Sequence, residues 1–221
     1  MTPATTHAPD SARLNALHFQ EDAESGVRLF GDKTPDHFAL FGLQPRLQLD
    51  LAALRETFLE LSRRFHPDFH SASSEALRAE VLRRSSLVNN AYRVLRDLPK
   101  RAEYVIQLLV PGMQSNRNAV PPALLEEMFE IQEAGEALKV ARMMADGPAL
   151  EAAERAVAPL RAQVKEAREA LERELDAHAA AFDAGMDAGA PDPARIESVL
   201  KAMRLTLDRL NYLRTVIRNL H

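Results

Sequence analysis

Residues 63–70 read Arg-Arg-Phe-His-Pro-Asp-Phe-His, which puts two imidazoles, a carboxylate and two guanidiniums side by side. Three chemistries are open to such a group. His66, Asp68 and His70 offer metal ligands, and histidines four apart hold metal well on one helix face. Pro67 argues against a helix there, however, and no third His or Glu follows at a fitting interval. No metal site is therefore expected. His66 and Asp68 also offer acid–base chemistry, but no nucleophile or glycine loop accompanies them, and no enzyme is expected. The third chemistry is recognition. Pro67 lacks a backbone donor and fixes φ, so the helix before it stops. His66 and Asp68 are then presented on a constrained exposed loop beside Arg63 and Arg64. A blander account competes with it: arginines suit a helix C-terminus, and the proline simply ends the helix.

The elements around the loop follow from spacing. Thr34-Pro35-Asp36 starts a short helix with Pro in its first turn, and Gly42 stops it after His37–Phe41. Asp50 caps a second helix. Its Leu51, Leu54, Phe58, Leu61 and Phe65 repeat in steps of three and four. A polar loop runs from His70 to Ser74, which caps a third helix with Leu77, Val81, Val88, Tyr92 and Leu95 inside. Pro99 interrupts, and Arg101–Val110 is a short apolar helix. Residues 111–122 (PGMQSNRNAVPP) are a linker. Beyond it, helices over 123–145, 149–182 and 194–220 are joined by Asp146-Gly147-Pro148 and by a Gly/Pro turn at 183–193. Pro159 should kink or break the middle one. Asp192-Pro193 caps and starts the last. Short turns between three helices predict an antiparallel bundle. No strand alternation is visible, and residues 1–34 lack periodicity and read as a mostly disordered extension, with a short receptor-read peptide as the alternative.

Composition narrows the function. The chain has 221 residues, 46% hydrophobic and 27% charged, with 8 Gly and no Cys or Trp. Low Gly with abundant Ala, Leu, Glu and Arg favours helix. The lack of Cys excludes a disulfide framework, a thiolate nucleophile and Cys-ligated zinc or iron–sulfur sites. A net charge of −4 argues against a broad nucleic-acid surface. No apolar run nears the roughly 18–20 residues of a membrane span. The N-terminus has no apolar signal core, so neither a secretory nor an import peptide is expected.

The order of motifs carries a resemblance. Phe38-x-x-Phe41-Gly42-Leu43 precedes an amphipathic helix, then His66-Pro67-Asp68. A long helix follows with Asn89-x-Ala91-Tyr92-x-x-Leu95-x-Asp97, and then Pro99. Residues 35–110 resemble a J-domain, a helical hairpin with His-Pro-Asp in its tip. Arg101-Ala102-Glu103-Tyr104, Leu49-Asp50 and a helical C-terminal hundred residues look more specifically like the HscB family of J-type co-chaperones of iron–sulfur cluster assembly. The Gly/Phe-rich and Cys-rich segments of a general DnaJ are missing. The resemblance implies an all-α chain: an extension (1–34), a J-domain (35–110), a linker (111–122) and a client-binding bundle (123–221). It implies docking on an HscA/DnaK-type chaperone through Arg63, Arg64, His66, Pro67 and Asp68, with the partner performing the ATP hydrolysis. Phe69 stands where the family usually has Lys or Arg, which removes one positive charge from the docking edge.

Helix geometry sorts the bundle into faces. Leu124, Met128, Ile131 and Leu138 form one side of the first bundle helix. Leu125 and Phe129 fall a quarter-turn or more away, beside Glu126, Glu130 and Glu133. On the last helix Ile196, Val199, Leu200, Met203, Leu207, Leu210 and Ile217 make one stripe, and Leu205, Tyr212 and Val216 make a second. Two stripes need two burial partners. The first account is a wide core stripe with a solvated acidic flank. The resemblance implies the other: Leu125, Glu126, Phe129, Glu130, Glu133 and Tyr212 hold an IscU-type iron–sulfur scaffold protein. Glu126 stands where the family often has Met, so this patch is more acidic than usual. A cytoplasmic, bacterial-type co-chaperone without cofactor follows. The alternatives are a J-domain co-chaperone of a general DnaK with another client, and a coiled-coil-like assembly protein.

Overall fold

The computed structural model describes residues 19–21, 28–30, 36–70, 74–115, 125–188 and 192–220. By their contacts these fall into two compact units, residues 1–111 with 182–189, and residues 112–181 with 190–221. The sequence puts 182–189 in the bundle; by contacts they group with the first unit. In this unit β1 (Phe19–Glu21) and β2 (Arg28–Phe30) pair antiparallel, with Phe19 opposite Phe30. This corrects the strand-free expectation for 1–34: three-residue strands are too short to show alternation. The rest of that segment lies outside the described residues. The fold remains all-α, because helices make up nearly everything else described.

Helix α1 (His37–Leu40) is capped by Asp36, whose carboxylate accepts the Ala39 N–H at 2.9 Å. It ends on Gly42, with φ of 67°. There the Gly42 N–H donates to the Ala39 carbonyl and the Leu43 N–H to the Phe38 carbonyl, the paired bonds of a glycine-ended helix. Helix α2 (Leu51–Arg64) is capped by Asp50, which accepts from Ala52 and Ala53. Helix α3 (Glu75–Leu95) begins on Ser74, and α4 (Leu98–Leu109) on Asp97. Pro99 sits in the first turn of α4, where its missing N–H costs nothing.

The α2–α3 hairpin buries Leu54, Leu61 and Phe65 with Leu77, Val81, Val88, Ala91 and Leu95. Phe58 stacks on Tyr92 at 4.0 Å between ring centroids. Arg84, a position the apolar pattern skips, is fully buried, with its guanidinium 5.2 Å from the Phe65 centroid and 2.9 Å from Glu80.

Polar groups lash the loop before α2. Asp183 is buried and its carboxylate accepts the Leu47 N–H at 2.9 Å and the Gln48 N–H at 2.7 Å. Arg46 pairs with Asp187. Arg101, also buried, donates to the Leu47 carbonyl at 2.9 Å and to the Leu95 carbonyl. Tyr104 stacks on His37 at 4.3 Å, and its hydroxyl accepts the His37 N–H at 3.0 Å.

The second unit is built from α5 (Leu125–Met144), α6 (Gly147–Asp187, as far as Ala181) and α7 (Pro193–Asn219). Ile131, Leu138, Ala141, Ala153, Val157, Val164, Leu213, Val216 and Leu220 form one aliphatic seam. Of the two outcomes expected at Pro159, a kink or a break, the break does not occur: α6 continues through it. Both Pro159 and Arg155, whose carbonyl loses its donor, are on the exposed side, so water replaces the lost hydrogen bond while Val157 and Val164 hold the buried face. The α5–α6 turn also lies earlier than expected. Ala145 adopts φ of 52°, and Asp146 caps α6 by accepting from Ala149 at 3.1 Å. Residues 116–124, including most of the expected linker, lie outside the described residues.

Candidate functional site

Chain geometry explains why residues 66–69 stand out. Helix α2 closes when the Phe65 N–H donates to the Leu61 carbonyl and the His66 N–H to the Arg63 carbonyl. Pro67–His70 then form one 3-10 turn. Phe65 is buried, and the four residues after it are exposed. The loop is pinned again by His70, which is buried with Nε2 3.0 Å from the Arg64 carbonyl. Sequence reasoning weighed His70 only as a metal ligand. Its ring instead closes the turn, and the signal was its place one helical step beyond a helix end.

Within the turn, the Asp68 N–H donates to His66 Nδ1 at 3.3 Å. That bond uses Nδ1 as the acceptor, as in the neutral tautomer that carries its proton on Nε2. The Asp68 carboxylate lies 3.6 Å from the same nitrogen and forms an ion pair when the ring is charged. The Phe69 ring stands edge-on to His66 at 5.9 Å and is 75% exposed. Arg63 and Arg64 are exposed one turn back, with Arg64 also 5.9 Å from the Phe65 centroid. Behind them, burial lowers the Arg84 pKa, opposed by hydrogen bonding to Glu80. All five loop residues predicted from sequence therefore share one exposed tip. It offers an imidazole, a carboxylate and two cations. Among the described residues, no group of three His, Asp or Glu is placed to hold a metal.

The bundle residues are less concentrated. Glu130 and Tyr212 line one cleft of about 370 Å³ together with Leu160, Gln163, Val164 and Glu166 of α6. The α6 side was not anticipated, although Leu160, Val164 and Ala167 repeat at helical spacing. Phe129 is 74% exposed, and Glu133 is exposed. The side chains of Leu125 and Glu126 lie outside the described residues. The second stripe of α7 divides: Val216 is core, Tyr212 half-buried, and Leu205 exposed. A stripe on a terminal helix is thus not one surface: Val216 and Tyr212 pack into the seam and Leu205 does not. No described helix is long and apolar enough to cross a membrane.

Comparison with known proteins agrees with this architecture. No protein-family model matches the chain. It is 32% identical over 180 residues to a co-chaperone protein HscB homolog of Ralstonia nicotianae, covering 79% of this chain and 96% of that one. A homolog of the same name from Vibrio vulnificus is 38% identical over 101 residues, 44% of this chain and 58% of its own. Among solved structures, human co-chaperone HscB aligns with TM-score 0.61 at 22% identity, over 88% of this chain and 84% of that one. HscB from Vibrio cholerae gives 0.58 at 24%, over 84% and 95%. The two structures speak for the fold, and the near full-length relative speaks for the family: this chain belongs to the HscB family of co-chaperones.

Proposed function

We propose that this protein is a J-domain co-chaperone. It docks on an HscA/DnaK-type chaperone through Arg63, Arg64, His66, Pro67 and Asp68, stimulates that partner's ATPase, and delivers an IscU-type iron–sulfur scaffold protein to it. In this reading residues 35–110 are the J-domain, 111–122 the linker and 123–221 the client-binding domain. One observation carries it: His66-Pro67-Asp68 stand exposed on a 3-10 turn that is pinned on both sides, by buried Phe65 and by His70 on the Arg64 carbonyl. An exposed, charged tip anchored on both sides suits recognition, since less entropy remains to be lost on docking. The ATP chemistry then stays with the partner, and no cofactor, nucleic acid or membrane takes part. The cytoplasm is the proposed compartment. The client face comprises Leu125, Glu126, Phe129, Glu130, Glu133 and Tyr212, whose carboxylates steer a basic partner and set its orientation.

The decisive measurement is the ATPase rate of an HscA-type chaperone with and without this protein and scaffold. His66→Gln is expected to abolish stimulation while leaving the fold and scaffold binding intact; stimulation at the original level would end the docking assignment. Phe129→Ala with Tyr212→Ala is expected to weaken scaffold binding and spare client-free stimulation. Unchanged scaffold affinity would move the client face elsewhere.

A further inference from the structure

Helix α5 buries Ile131, Leu138 and Ala141, yet it also exposes large apolar residues on its other side. Phe129 is 74% exposed, Val140 49%, Met143 78% and Met144 76%. At helical spacing all four lie within about 60° of the direction opposite Leu138, along roughly 22 Å of axis. Gln132, Glu133 and Glu136 are exposed on the same side between Phe129 and Val140, so the apolar residues form two groups, one near each end of the helix, and no described residue covers either. Charge divides the same face lengthwise. Glu130, Glu133 and Glu136 flank its first half. Lys139 and Arg142 flank the second, joined by Arg218 of α7. These three line a cleft of about 430 Å³ with Leu138 and Met143, and Glu136, the last of the carboxylates, closes its acidic end. Arg142 also pairs with Glu154 at 2.8 Å.

We infer that the client-binding surface runs the whole outer length of α5, and that Val140, Met143 and Met144 with Lys139 and Arg218 form its second half. This rests on the client reading above and extends it by two to three helical turns. The occupant of the second half is the same client: an apolar ridge flanked by carboxylates, continuous with the basic region that meets Glu130 and Glu133. The unbranched Met side chains adapt to such a ridge. The lengthwise reversal of charge fixes the direction in which the client lies, because the opposite orientation sets like charges together.

The test is scaffold binding by calorimetry, with a purified IscU-type scaffold protein as the probe and the full chain as host. Met143→Ser with Met144→Ser is expected to weaken binding about tenfold. Both side chains are more than three-quarters exposed, so the fold is kept; unchanged helicity and Tm check that. Lys139→Glu with Arg218→Glu is expected to weaken binding most at low salt. If Phe129→Ala weakens binding and the methionine pair does not, the extension is wrong and the shorter client face stands. If none of the variants weakens it, the client reading falls as well. The reversed charges also complement a second copy packed antiparallel, so sedimentation is run in parallel. A concentration-dependent dimer lost in the methionine variant, with scaffold binding unchanged, assigns the face to self-association and overturns the inference.

Discussion

The two units solve different problems with different materials. The first holds a loop in place, and it does so with directional contacts from distant parts of the chain. Asp183 takes two backbone donors, Arg101 grips two carbonyls, and Tyr104 meets His37. Its largely aliphatic core also holds four buried phenylalanines, Phe38, Phe41, Phe65 and Phe182. The second presents helix faces and rests mainly on aliphatic packing, with fewer long-range polar ties among the described residues, such as Arg161 donating to the Leu220 carbonyl and Thr206 to Glu174. Its seam from Ile131 to Leu220 is Ile, Leu, Val and Ala throughout. Apolar packing is non-directional, so it aligns helices but does not hold the register of a loop. Hydrogen bonds do that, and they are costly when left half-made.

That contrast is broken most directly at Asp183. Asp183→Ala strands two N–H donors in a buried loop and is expected to destabilise the first unit by about 2–4 kcal/mol. Amide hydrogen exchange locates the loss. The amides of residues 47–48 should lose protection while α5 and the C-terminal turns of α7 keep theirs. Equal loss in both units would mean that one cooperative structure, and not two differently built ones, carries the stability.

The same contrast decides what was legible. The exposed His-Pro-Asp turn was readable because covalent chemistry makes it: a proline, its neighbours and the helix before them sit within one turn. The helices were readable because their caps are local, as with Asp50, Ser74, Asp97 and Asp192. Residues that act across the chain were not. Arg101 and Tyr104 entered only as part of a resemblance, and their task of holding Leu47, Leu95 and His37 depends on partners 54, 6 and 67 residues away. Arg84 broke the apolar pattern and so was passed over, although it is fully buried beneath Phe65. The proposed client face was readable only as helix faces. Which parts of them the seam takes up is set by packing, and this is why Tyr212 and Leu205 part company.

A smaller effect sharpens the comparison through pH. His37 stacks on Tyr104, and its pKa is lowered by burial, opposed by Asp36. The neutral ring is therefore favoured in the folded state. The unfolded chain takes up its proton near pH 6.5, and the folded chain only lower. Stability from this group is fully present above about 6.5 and is lost as pH falls through the lowered folded value. His37→Phe keeps the stack and removes the titration. The drop in urea midpoint of the first unit between pH 7.5 and 5 should be smaller in that variant. Identical drops in both chains would show that His37 does not contribute. The bundle seam contains no histidine, so its own pH response should not change.

The smallest expected effect compares the two units through a single shared motif. Helices α1 and α5 both end on a left-handed residue with the same pair of bonds. In the first unit the residue is Gly42, at φ of 67°. In the second it is Ala145, at 52°, whose N–H donates to the Arg142 carbonyl at 3.3 Å while the Asp146 N–H reaches Ala141 at 3.4 Å. A Cβ in that conformation is strained by about 1 kcal/mol. The bundle therefore tolerates at its turn a strain that the loop-bearing unit avoids with glycine. Ala145→Gly should raise stability by about 0.5–1 kcal/mol, less whatever entropy the glycine adds to the unfolded chain. Gly42→Ala should lower it by about the same amount. A thermal melt of each variant checks the signs. If Ala145→Gly destabilises, the unfolded-state entropy outweighs the relief of strain, and the alanine there is the better residue for the turn.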